Sequence, residues 1–555
     1  MRVKAANGVA RILKAEGVPW VATFPVCNVN NALGEEGVPL LMMRDERYAV
    51  AVADAFSRIT GGKSIGVCTV MGALNPAGLQ MAYGALAQAF EDSSPLLCIT
   101  DGLPPSSGDQ RRYDLSDGFR SVTKWIGHID EPERVPEFLG RAFTYLRTGR
   151  PGPVLLTLPR ALGEYDEEEH PYTTVKGWRW APDPADVTRA VQALRAAKRP
   201  LLYAGSGVFY ADATEELLQF SEYTSMPVLT TLQGQSAFPQ NHPLSVGVRG
   251  KLANHFLESC DLILAVGTSL SKHNFRHIIP RPHEKTIILC SVDPEDINRS
   301  YQVDHALIGD AKLTLQALLD EMGASTVPAK SNPQVVQEIQ VAKELFLAEY
   351  HPLLASDDIP INPYRVYGDL MKVIDRGRSV VTHDSGNTRD QLSTVYEALV
   401  PRGFVGWGNV TTLGFGLAVA MAAKLAYPDR QCVNVTGDAG VGYMIGNMEA
   451  LVRLRIGVMT IHINNGGFAG YGPGFWGGGH DPYTCEVSDH TKADWSKAVR
   501  ALGYYAEDVQ RPDDIIPALG RALDENAHDR PAYLEILCKP FPVFGAWITA
   551  GSGGH

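Results

Sequence analysis

The chain has 555 residues, of which 45% are hydrophobic and 20% are charged, and its formal net charge is −12. A single core rarely serves so long a chain, and the length predicts roughly three to four domains. A mildly acidic chain of this size is a poor candidate for binding nucleic acid. No apolar run approaches the ~18 residues that a membrane span needs, so we expect no membrane partner.

The cysteines and the first residues bear on the compartment. Eight cysteines are spread along the chain, most of them within apolar stretches, and none forms a C-x-x-C pair. This usage favours reduced thiols over a disulfide framework. Residues 1–8 lead straight into an amphipathic pattern and lack the features of a secretion signal. We therefore expect a cytoplasmic protein.

The first 165 residues alternate helical and strand patterns. Helices are predicted over 3–15, 46–60 and 76–90. Strands are predicted over 20–23, 40–44, 64–70 and 95–100. Such alternation is typical of a parallel sheet covered by helices on both faces. A charged, proline-containing connector follows at 164–180.

The same alternation begins again in residues 185–328 and in residues 357–540, with a helical linker predicted over about 333–350. Strands of the middle segment are predicted over 200–204, 227–231, 262–266 and 286–292. Strands of the last segment are predicted over 379–382, 431–436, 457–463 and 532–537. The expected fold class is α/β, with three doubly wound parallel-sheet domains. Residues 541–555 carry no element signal and are expected to form a mobile tail.

The most informative stretch lies in the third segment. Its strand over 431–436 leads to Gly437-Asp438-Ala439, and a glycine turn then precedes a helix predicted from about 446 to 455. The following strand ends in Asn464-Asn465-Gly466-Gly467. A helix N-terminus offers free N–H groups to an anion, and carboxylate and amide oxygens are ligands that Mg²⁺ accepts beside phosphate oxygens. The pattern predicts a diphosphate bridged by a metal ion.

A Gly-Asp-Gly string followed some 25 residues later by Asn-Asn resembles the thiamine diphosphate (ThDP) motif. The chain is similar to the acetolactate synthase, pyruvate oxidase and oxalyl-CoA decarboxylase group over nearly its full length. The resemblance implies a pyrimidine-binding domain at 1–165, a central domain at 185–328 and a diphosphate-binding domain at 357–540. It also implies that the Asp438 side chain, the Asn465 side chain and the Gly467 backbone oxygen hold Mg²⁺. Ala439, where the motif has glycine, would meet the diphosphate together with Gly440, and its methyl group fits if its φ is negative.

Glu46 is the candidate catalytic residue. The family's chemistry needs a carboxyl that hydrogen-bonds N1′ of the aminopyrimidine, and the cofactor supplies the reacting carbon. Arg44-Asp45-Glu46 resembles the family's Arg-His-Glu, with Asp45 in place of the His. Position alone also allows Glu46 to be an acid that favours a helix N-terminus. A buried glutamate should have a pKa above about 4.3, which suits proton sharing.

Further segments resemble cofactor-binding parts of the family. Gly72 and Asn75 occupy the place of a Gly-Pro-Gly-Ala-Thr-Asn loop, and Leu413 occupies the place of the large apolar residue that bends the cofactor. The loop that hydrogen-bonds the diphosphate corresponds to Ser385, Gly386 and Asn387, and Phe468 follows the metal motif. In the family the glutamate of one subunit serves the cofactor bound by the other, so the resemblance implies an obligate homodimer, often doubled to a homotetramer.

Substrate choice is not fixed by any residue set in the sequence. Val26 and Cys27 stand where relatives carry Phe-Gly-x-Pro-Gly, and Tyr471 and Trp476 lie in a Gly-rich flap. All four are candidates for lining a substrate pocket, while Cys27 lacks neighbours that would lower a thiol pKa. The central domain resembles one that holds FAD in some relatives and ADP or CoA in others, but Gly205-Ser206-Gly207 alone is weak evidence for a nucleotide.

The resemblance implies a ThDP- and Mg²⁺-dependent lyase or carboligase that acts on a small-molecule 2-oxo acid, as acetolactate synthase does. A 2-hydroxyacyl-CoA lyase or an oxalyl-CoA decarboxylase is the alternative within the enzymes. A non-catalytic homologue that binds ThDP is the alternative from another class. Glu46 argues against it, because a pure binder does not need a carboxyl at N1′.

Overall fold

The computed structural model describes residues 1–72, 76–103, 117–272, 277–323, 332–410, 412–467 and 493–540. Strands in this part of the chain are β1 Arg2–Lys4, β2 Val21–Thr23, β3 Leu40–Met42, β4 Gly66–Val70, β5 Leu96–Gly102, β6 Trp125–His128, β7 Val154–Pro159, β8 Glu164–Asp166, β9 Pro200–Ala204, β10 Val228–Thr230, β11 Leu262–Val266, β12 Thr286–Ser291, β13 His305–Ile308, β14 Ser379–His383, β15 Gln431–Gly437, β16 Met459–Asn464, β17 Tyr505–Val509 and β18 Ala532–Leu537.

The α-helices are α1 Ala5–Ala15, α2 Val29–Glu35, α3 Glu46–Thr60, α4 Pro76–Glu91, α5 Val135–Arg147, α6 Pro184–Ala196, α7 Gly207–Tyr210, α8 Thr214–Thr224, α9 Gly250–Ser259, α10 Ala311–Met322, α11 Pro333–Leu354, α12 Pro363–Val373, α13 Asn387–Val395, α14 Phe415–Ala426, α15 Asp438–Arg453, α16 Trp495–Ala501 and α17 Ile515–Ala527. Among the described residues, no helix is both long enough and apolar enough to cross a bilayer.

The first of two compact units comprises residues 1–178, 409–428 and 444–455. It contains a six-stranded sheet in the order β3-β2-β4-β5-β7-β6, and all of its strand pairs are parallel. Helix α3 packs against α4 and α14. Asp45 caps the N-terminus of α3, and Gly61 ends the helix at φ +62°, a conformation that glycine adopts without strain.

The second unit comprises residues 179–408, 429–443 and 456–555. It contains two five-stranded parallel sheets, in the orders β10-β9-β11-β12-β13 and β14-β15-β16-β18-β17. Apart from the edge strands β13 and β17, the strands of both sheets are almost entirely buried, which is why β11 and β12 are nearly continuous apolar runs. The three parallel sheets with their helices confirm the predicted α/β class of three doubly wound domains.

One local prediction was wrong, and one small sheet was not predicted. Helix α15 begins at Asp438 itself, whereas the glycines at 440 and 442 had predicted a turn before a helix from about 446. These glycines lie within the helix instead. Strands β1 and β8 were not predicted, and they form a separate two-stranded antiparallel sheet. Three-residue strands that pair across more than 150 residues leave no local periodicity to recognise.

Candidate active site

Two helices of the second unit begin at the carboxyl ends of neighbouring strands. Strands β14 and β15 are paired, α13 begins at Asn387 shortly after β14, and α15 begins directly after β15. The half-buried residues Ser385 and Gly386 form the turn before α13, and Gly386 has φ +85°. Free N–H groups of two helix N-termini therefore share one sheet edge, which is the arrangement that binds phosphate.

At this edge the backbone at Gly440 packs against the side chains of Thr436 and Asp384. A Cβ added to Gly440 would lie 2.2 Å from Thr436 Oγ1 and 2.9 Å from the carboxyl carbon of Asp384, so only glycine fits there. Asp384 is fully buried and accepts a hydrogen bond from Ser385 N at 2.7 Å. Ala439 is the second residue of α15, where the helical φ is negative, and this accommodates the methyl group that departs from the family motif.

Asp438 has both carboxylate oxygens engaged, and only 2% of the residue is exposed. Its Oδ1 accepts a hydrogen bond from His462 Nε2 at 3.0 Å. Its Oδ2 accepts hydrogen bonds from the backbone N–H groups of Gly467 at 3.1 Å and Asn465 at 3.3 Å. The motif's two halves are therefore joined directly.

The Asn465 side chain provides a test of whether a cation fits between these groups. One terminal atom of its amide lies 2.9 Å from Gly467 O and 3.1 Å from Asp438 Oδ2. A nitrogen at that position donates to both oxygens, whereas an oxygen there makes three oxygens converge. Neighbouring ligands in an octahedral Mg²⁺ shell with bonds of about 2.0–2.1 Å lie roughly 3 Å apart. The spacing and the donor set of Asp438, Asn465 and Gly467 therefore fit a Mg²⁺ ion.

A second layer of buried polar groups supports this turn. Tyr533 Oη donates to His462 Nδ1 at 2.6 Å, so that the opposite ring nitrogen carries the proton that reaches Asp438. Asn464 Nδ2 donates to Glu535 Oε1 at 2.8 Å, and Asn464 Oδ1 accepts from Gly466 N at 3.2 Å. Burial raises the pKa of Glu535. No motif in the sequence predicts a role for His462, Tyr533 or Glu535, because each lies within a strand whose pattern indicates a buried core strand.

Glu46 is the first residue of α3 in the first unit and is only 5% exposed. Burial raises its pKa, and the neighbouring Asp45 carboxylate raises it further. A Cβ added to Gly78 of α4 would lie 2.6 Å from Glu46 Oε1 and 2.7 Å from Met71 O. The backbone of α4 therefore packs directly against the Glu46 carboxyl, and the sequence offered no signal for this requirement.

Asp45, which replaces the family's histidine, has a structural role. Its Oδ1 accepts a hydrogen bond from Tyr48 N at 2.7 Å and caps α3. Its Oδ2 accepts from Asn447 Nδ2 at 2.7 Å, while Asn447 Oδ1 accepts from Arg44 N at 2.9 Å. Such a cap typically contributes about 1 kcal/mol to helix stability. The residue before Glu46 therefore fixes where α3 begins.

Gly72 and Leu413 also lie in the first unit. Gly72 N donates to the buried Asp101 Oδ1 at 2.8 Å, and a Cβ on Gly72 would lie 2.2 Å from Thr100 Oγ1. Leu413 is half-buried, and its carbonyl oxygen accepts a hydrogen bond from Arg47 Nη1 at 3.1 Å. The structure thus brings the Leu413 turn to the residue that follows Glu46, and Leu413 groups with the Glu46 unit.

The predicted substrate-pocket residues are only partly described. Val26 is 48% exposed and has φ +79°, an unusual value for a β-branched residue. Cys27 is buried, and burial raises the pKa of its thiol to about 12. It is therefore a thiol and not a thiolate at neutral pH. Asn75, Phe468, Tyr471 and Trp476 lie outside the described residues, as does the predicted tail at 541–555.

The Gly205-Ser206-Gly207 turn of the middle sheet packs closely on a second turn. Gly205 N donates to Val266 O and Gly207 N to Gly267 O, both at 2.9 Å. A Cβ on Gly205 would lie 2.4 Å from Gly267 O. This close approach explains the two glycines without a nucleotide, and binding of FAD, ADP or CoA stays a prediction.

Comparison with known proteins identifies the whole arrangement. Residues 3–120 match the thiamine pyrophosphate enzyme N-terminal TPP binding domain, residues 187–318 match the central domain, and residues 384–536 match the C-terminal TPP binding domain. Together these matches cover most of the chain. The chain belongs to the thiamine pyrophosphate enzyme family. It is a thiamine diphosphate-dependent enzyme of the carboligase and decarboxylase type, as predicted.

Relatives of this family resemble the chain over nearly its whole length. The probable acetolactate synthase large subunit of Methanocaldococcus jannaschii is 29% identical, covering 97% of this chain and 92% of the relative. The glyoxylate carboligase of Escherichia coli O157:H7 is 27% identical, covering 97% and 93%. The acetolactate synthase isozyme 3 large subunit of Escherichia coli K12 is 25% identical, covering 96% and 94%.

Proposed function

We propose that the protein is a ThDP- and Mg²⁺-dependent carboligase that forms or breaks a C–C bond next to the carbonyl of a 2-oxo acid, as acetolactate synthase does. The Asn465 amide lies within 3.1 Å of Asp438 Oδ2 and 2.9 Å of Gly467 O, beside two helix N-termini, and this grouping carries the metal and diphosphate part of the proposal. The names of the relatives, a synthase and a carboligase, support the joining of two carbonyl compounds.

Each group of residues has a separate role in this proposal. Asp438, Asn465 and Gly467 hold the metal ion, while the backbone N–H groups near Ser385–Asn387 and Ala439–Gly440 meet the diphosphate. When bound, the cofactor supplies a nucleophilic carbon and an electron sink. Glu46 shares a proton with N1′ of the aminopyrimidine, and burial, which raises the pKa of this carboxyl, suits that role.

We also propose that the protein forms a homodimer, that two dimers pair into a homotetramer, and that the protein is cytosolic. Helix α4 exposes Met81, Tyr83 and Phe90, with exposed fractions of 53%, 38% and 39%. Tyr83 and Phe90 are seven residues apart and share one side of the helix. Their exposed apolar surface supports a contact with another protein, and a second copy of the chain is the partner that the family resemblance implies. The described cysteines are all free, which supports a reducing compartment.

The substrate class is tested with the purified protein, ThDP and Mg²⁺. Pyruvate and glyoxylate, alone and together, should give CO₂ release and a new C–C bonded hydroxy-oxo product, measured by NMR and mass spectrometry. Omission of ThDP is the control. Cleavage of a 2-hydroxyacyl-CoA or of oxalyl-CoA, without turnover of either 2-oxo acid, would contradict the proposal and favour the CoA-dependent alternatives.

A further inference from the structure

We propose that a buried polar ladder between β16 and β18 positions the metal-binding groups, with His462 as its principal positioning residue. The ladder consists of His462 and Asn464 on β16 and of Tyr533 and Glu535 on β18. The proposal rests on the metal site that is part of the proposed function, and it assigns a role to residues that neither hold the metal nor touch the substrate.

The ladder has two rungs, the pair His462–Tyr533 and the pair Asn464–Glu535. Every second side chain of a strand points to the same face of the sheet, so the two pairs lie on one face. His462 and Asn464 point to one face of β16, and Tyr533 and Glu535 point to one face of β18. The strands are parallel neighbours, with His462 opposite Glu535. His462 and Tyr533 are fully buried, Asn464 is 3% exposed and Glu535 is 5% exposed. The groups therefore lie in the core and do not compete with water for their partners.

The first rung fixes the Asp438 carboxylate. The Tyr533 hydroxyl occupies His462 Nδ1 at 2.6 Å, so His462 Nε2–H is left to donate to Asp438 Oδ1 at 3.0 Å. With Oδ1 held in this way, Oδ2 is the oxygen that faces the turn at Asn465 and Gly467. Ligating carboxylates are commonly oriented by hydrogen bonds of this kind.

The second rung fixes the turn that carries the other two ligands. Glu535 Oε1 accepts from Asn464 Nδ2 at 2.8 Å, and Asn464 Oδ1 accepts from Gly466 N at 3.2 Å. Gly466 lies between Asn465 and Gly467, and both glycines have positive φ values of +85° and +111°. Glu535 is itself held through Oε2, which accepts from Ser496 N at 2.7 Å. One pair of strands thus orients all three candidate ligands.

The composition of β16 supports a role beyond packing. The strand Met459–Asn464 is buried throughout, and an apolar residue at 462 would satisfy the core without a polar network. A buried imidazole is stable only where both ring nitrogens have partners, and here those partners are a tyrosine on the next strand and the predicted metal ligand. A histidine with these two partners is explained if its purpose is to hold the Asp438 carboxylate in one orientation.

The test measures the Mg²⁺ concentration at which ThDP binds half-maximally, by calorimetry and by tryptophan fluorescence, in the full-length protein. His462→Leu should raise this concentration about 10- to 100-fold, the usual effect of removing an outer hydrogen-bond partner of a metal ligand. His462→Gln keeps an N–H at a similar distance and should restore the value to within a few-fold. Tyr533→Phe should raise it by a few-fold, because His462 stays in place without its fixed tautomer.

Thr460→Val is the matched control. Thr460 is a buried residue on the same face of β16, two positions before His462, and within the described part of the chain its hydroxyl has no hydrogen-bond partner. Its replacement should leave the Mg²⁺ dependence unchanged. His462→Leu leaves the buried Tyr533 hydroxyl without its imidazole partner and could therefore fail to fold. In that case the double variant H462L/Y533F, which also removes this hydroxyl, replaces it. Tyr533→Phe and His462→Gln are then compared with the unaltered protein.

The outcomes separate this inference from the proposed function. If the unaltered protein binds ThDP without any dependence on divalent metal, the proposed metal site is wrong. If the unaltered protein needs Mg²⁺ but His462→Leu and Tyr533→Phe need no more of it, the positioning role is wrong. A shift of equal size in His462→Leu, His462→Gln and Thr460→Val would show a general effect on the strand and would also overturn the role.

Discussion

Buried carboxyl groups in two regions of the molecule have opposite surroundings. Around Asp438 in the second unit, an imidazole N–H and two backbone N–H groups donate hydrogen bonds to the carboxylate. Around Glu46 in the first unit, the backbone of α4 lies against the carboxyl, and burial together with the neighbouring acid Asp45 raises its pKa. The two surroundings suit the two roles proposed above, in which Asp438 would hold a cation and Glu46 would share a proton with the cofactor.

The largest expected effect comes from removing the carboxylate charge of Asp438. Asp438→Asn should weaken Mg²⁺-dependent ThDP binding by more than about 100-fold, because direct ligands matter more than the outer partners that cost up to that factor. The measurement is the thermal shift that ThDP produces with and without Mg²⁺. A ThDP shift in the unaltered protein that persists in excess chelator would contradict the metal assignment.

In the region of Glu46, Glu46→Gln should leave ThDP binding intact and slow the proton transfer that the proposed function assigns to this residue. The variant keeps the shape and a hydrogen-bonding group, so ThDP should still bind, while exchange of the cofactor's C2 proton should slow by about 10²–10⁴-fold, the usual size of an acid–base contribution. Exchange is followed by NMR after acid quench, and binding by the same thermal shift. Exchange at the unaltered rate would refute the assignment of Glu46.

The position of the Glu46 carboxyl can be changed without changing its chemistry. Gly78→Ala places a methyl group within 2.6 Å of Glu46 Oε1 and should reduce C2 proton exchange by up to about 10²-fold, since small displacements of a catalytic group are costly. Gly34→Ala in helix α2 is the control, because its Cβ would meet open space and Gly34 does not lie on α4, the helix proposed as a subunit contact. Gly34→Ala should keep the exchange rate of the unaltered protein. Equal exchange rates in the two variants would show that contact with Gly78 does not set the Glu46 position.

Sequence patterns predicted the elements better than the contacts between them. The strands at 200–204, 262–266 and 532–537 and helix α3 have the predicted bounds, because long apolar runs and a capped amphipathic helix are local signals. The Asp438 and Asn465 pair was predicted from motif spacing, and the structure joins it. Gly78, His462 and Tyr533 were not predicted, because their roles arise only when residues far apart in the chain are brought into contact. The buried strand pattern of β16 also hides a histidine among core residues.

The smallest expected effect concerns stability, and it tests the raised pKa of Glu46 directly. A carboxyl with a higher pKa in the folded state binds more protons there than in the unfolded chain, so its contribution to stability falls as pH rises from the unfolded pKa of about 4.3 through the folded pKa. Glu46→Gln cannot ionise and escapes this loss. The melting temperature of the cofactor-free variant should therefore exceed that of the unaltered protein at pH 7–8, and the difference should shrink as the pH is lowered towards the unfolded pKa. A variant that is less stable at pH 7–8 and gains on acidification would mean that the fold stabilises the ionised Glu46 carboxylate, and the contrast between the two regions would be lost.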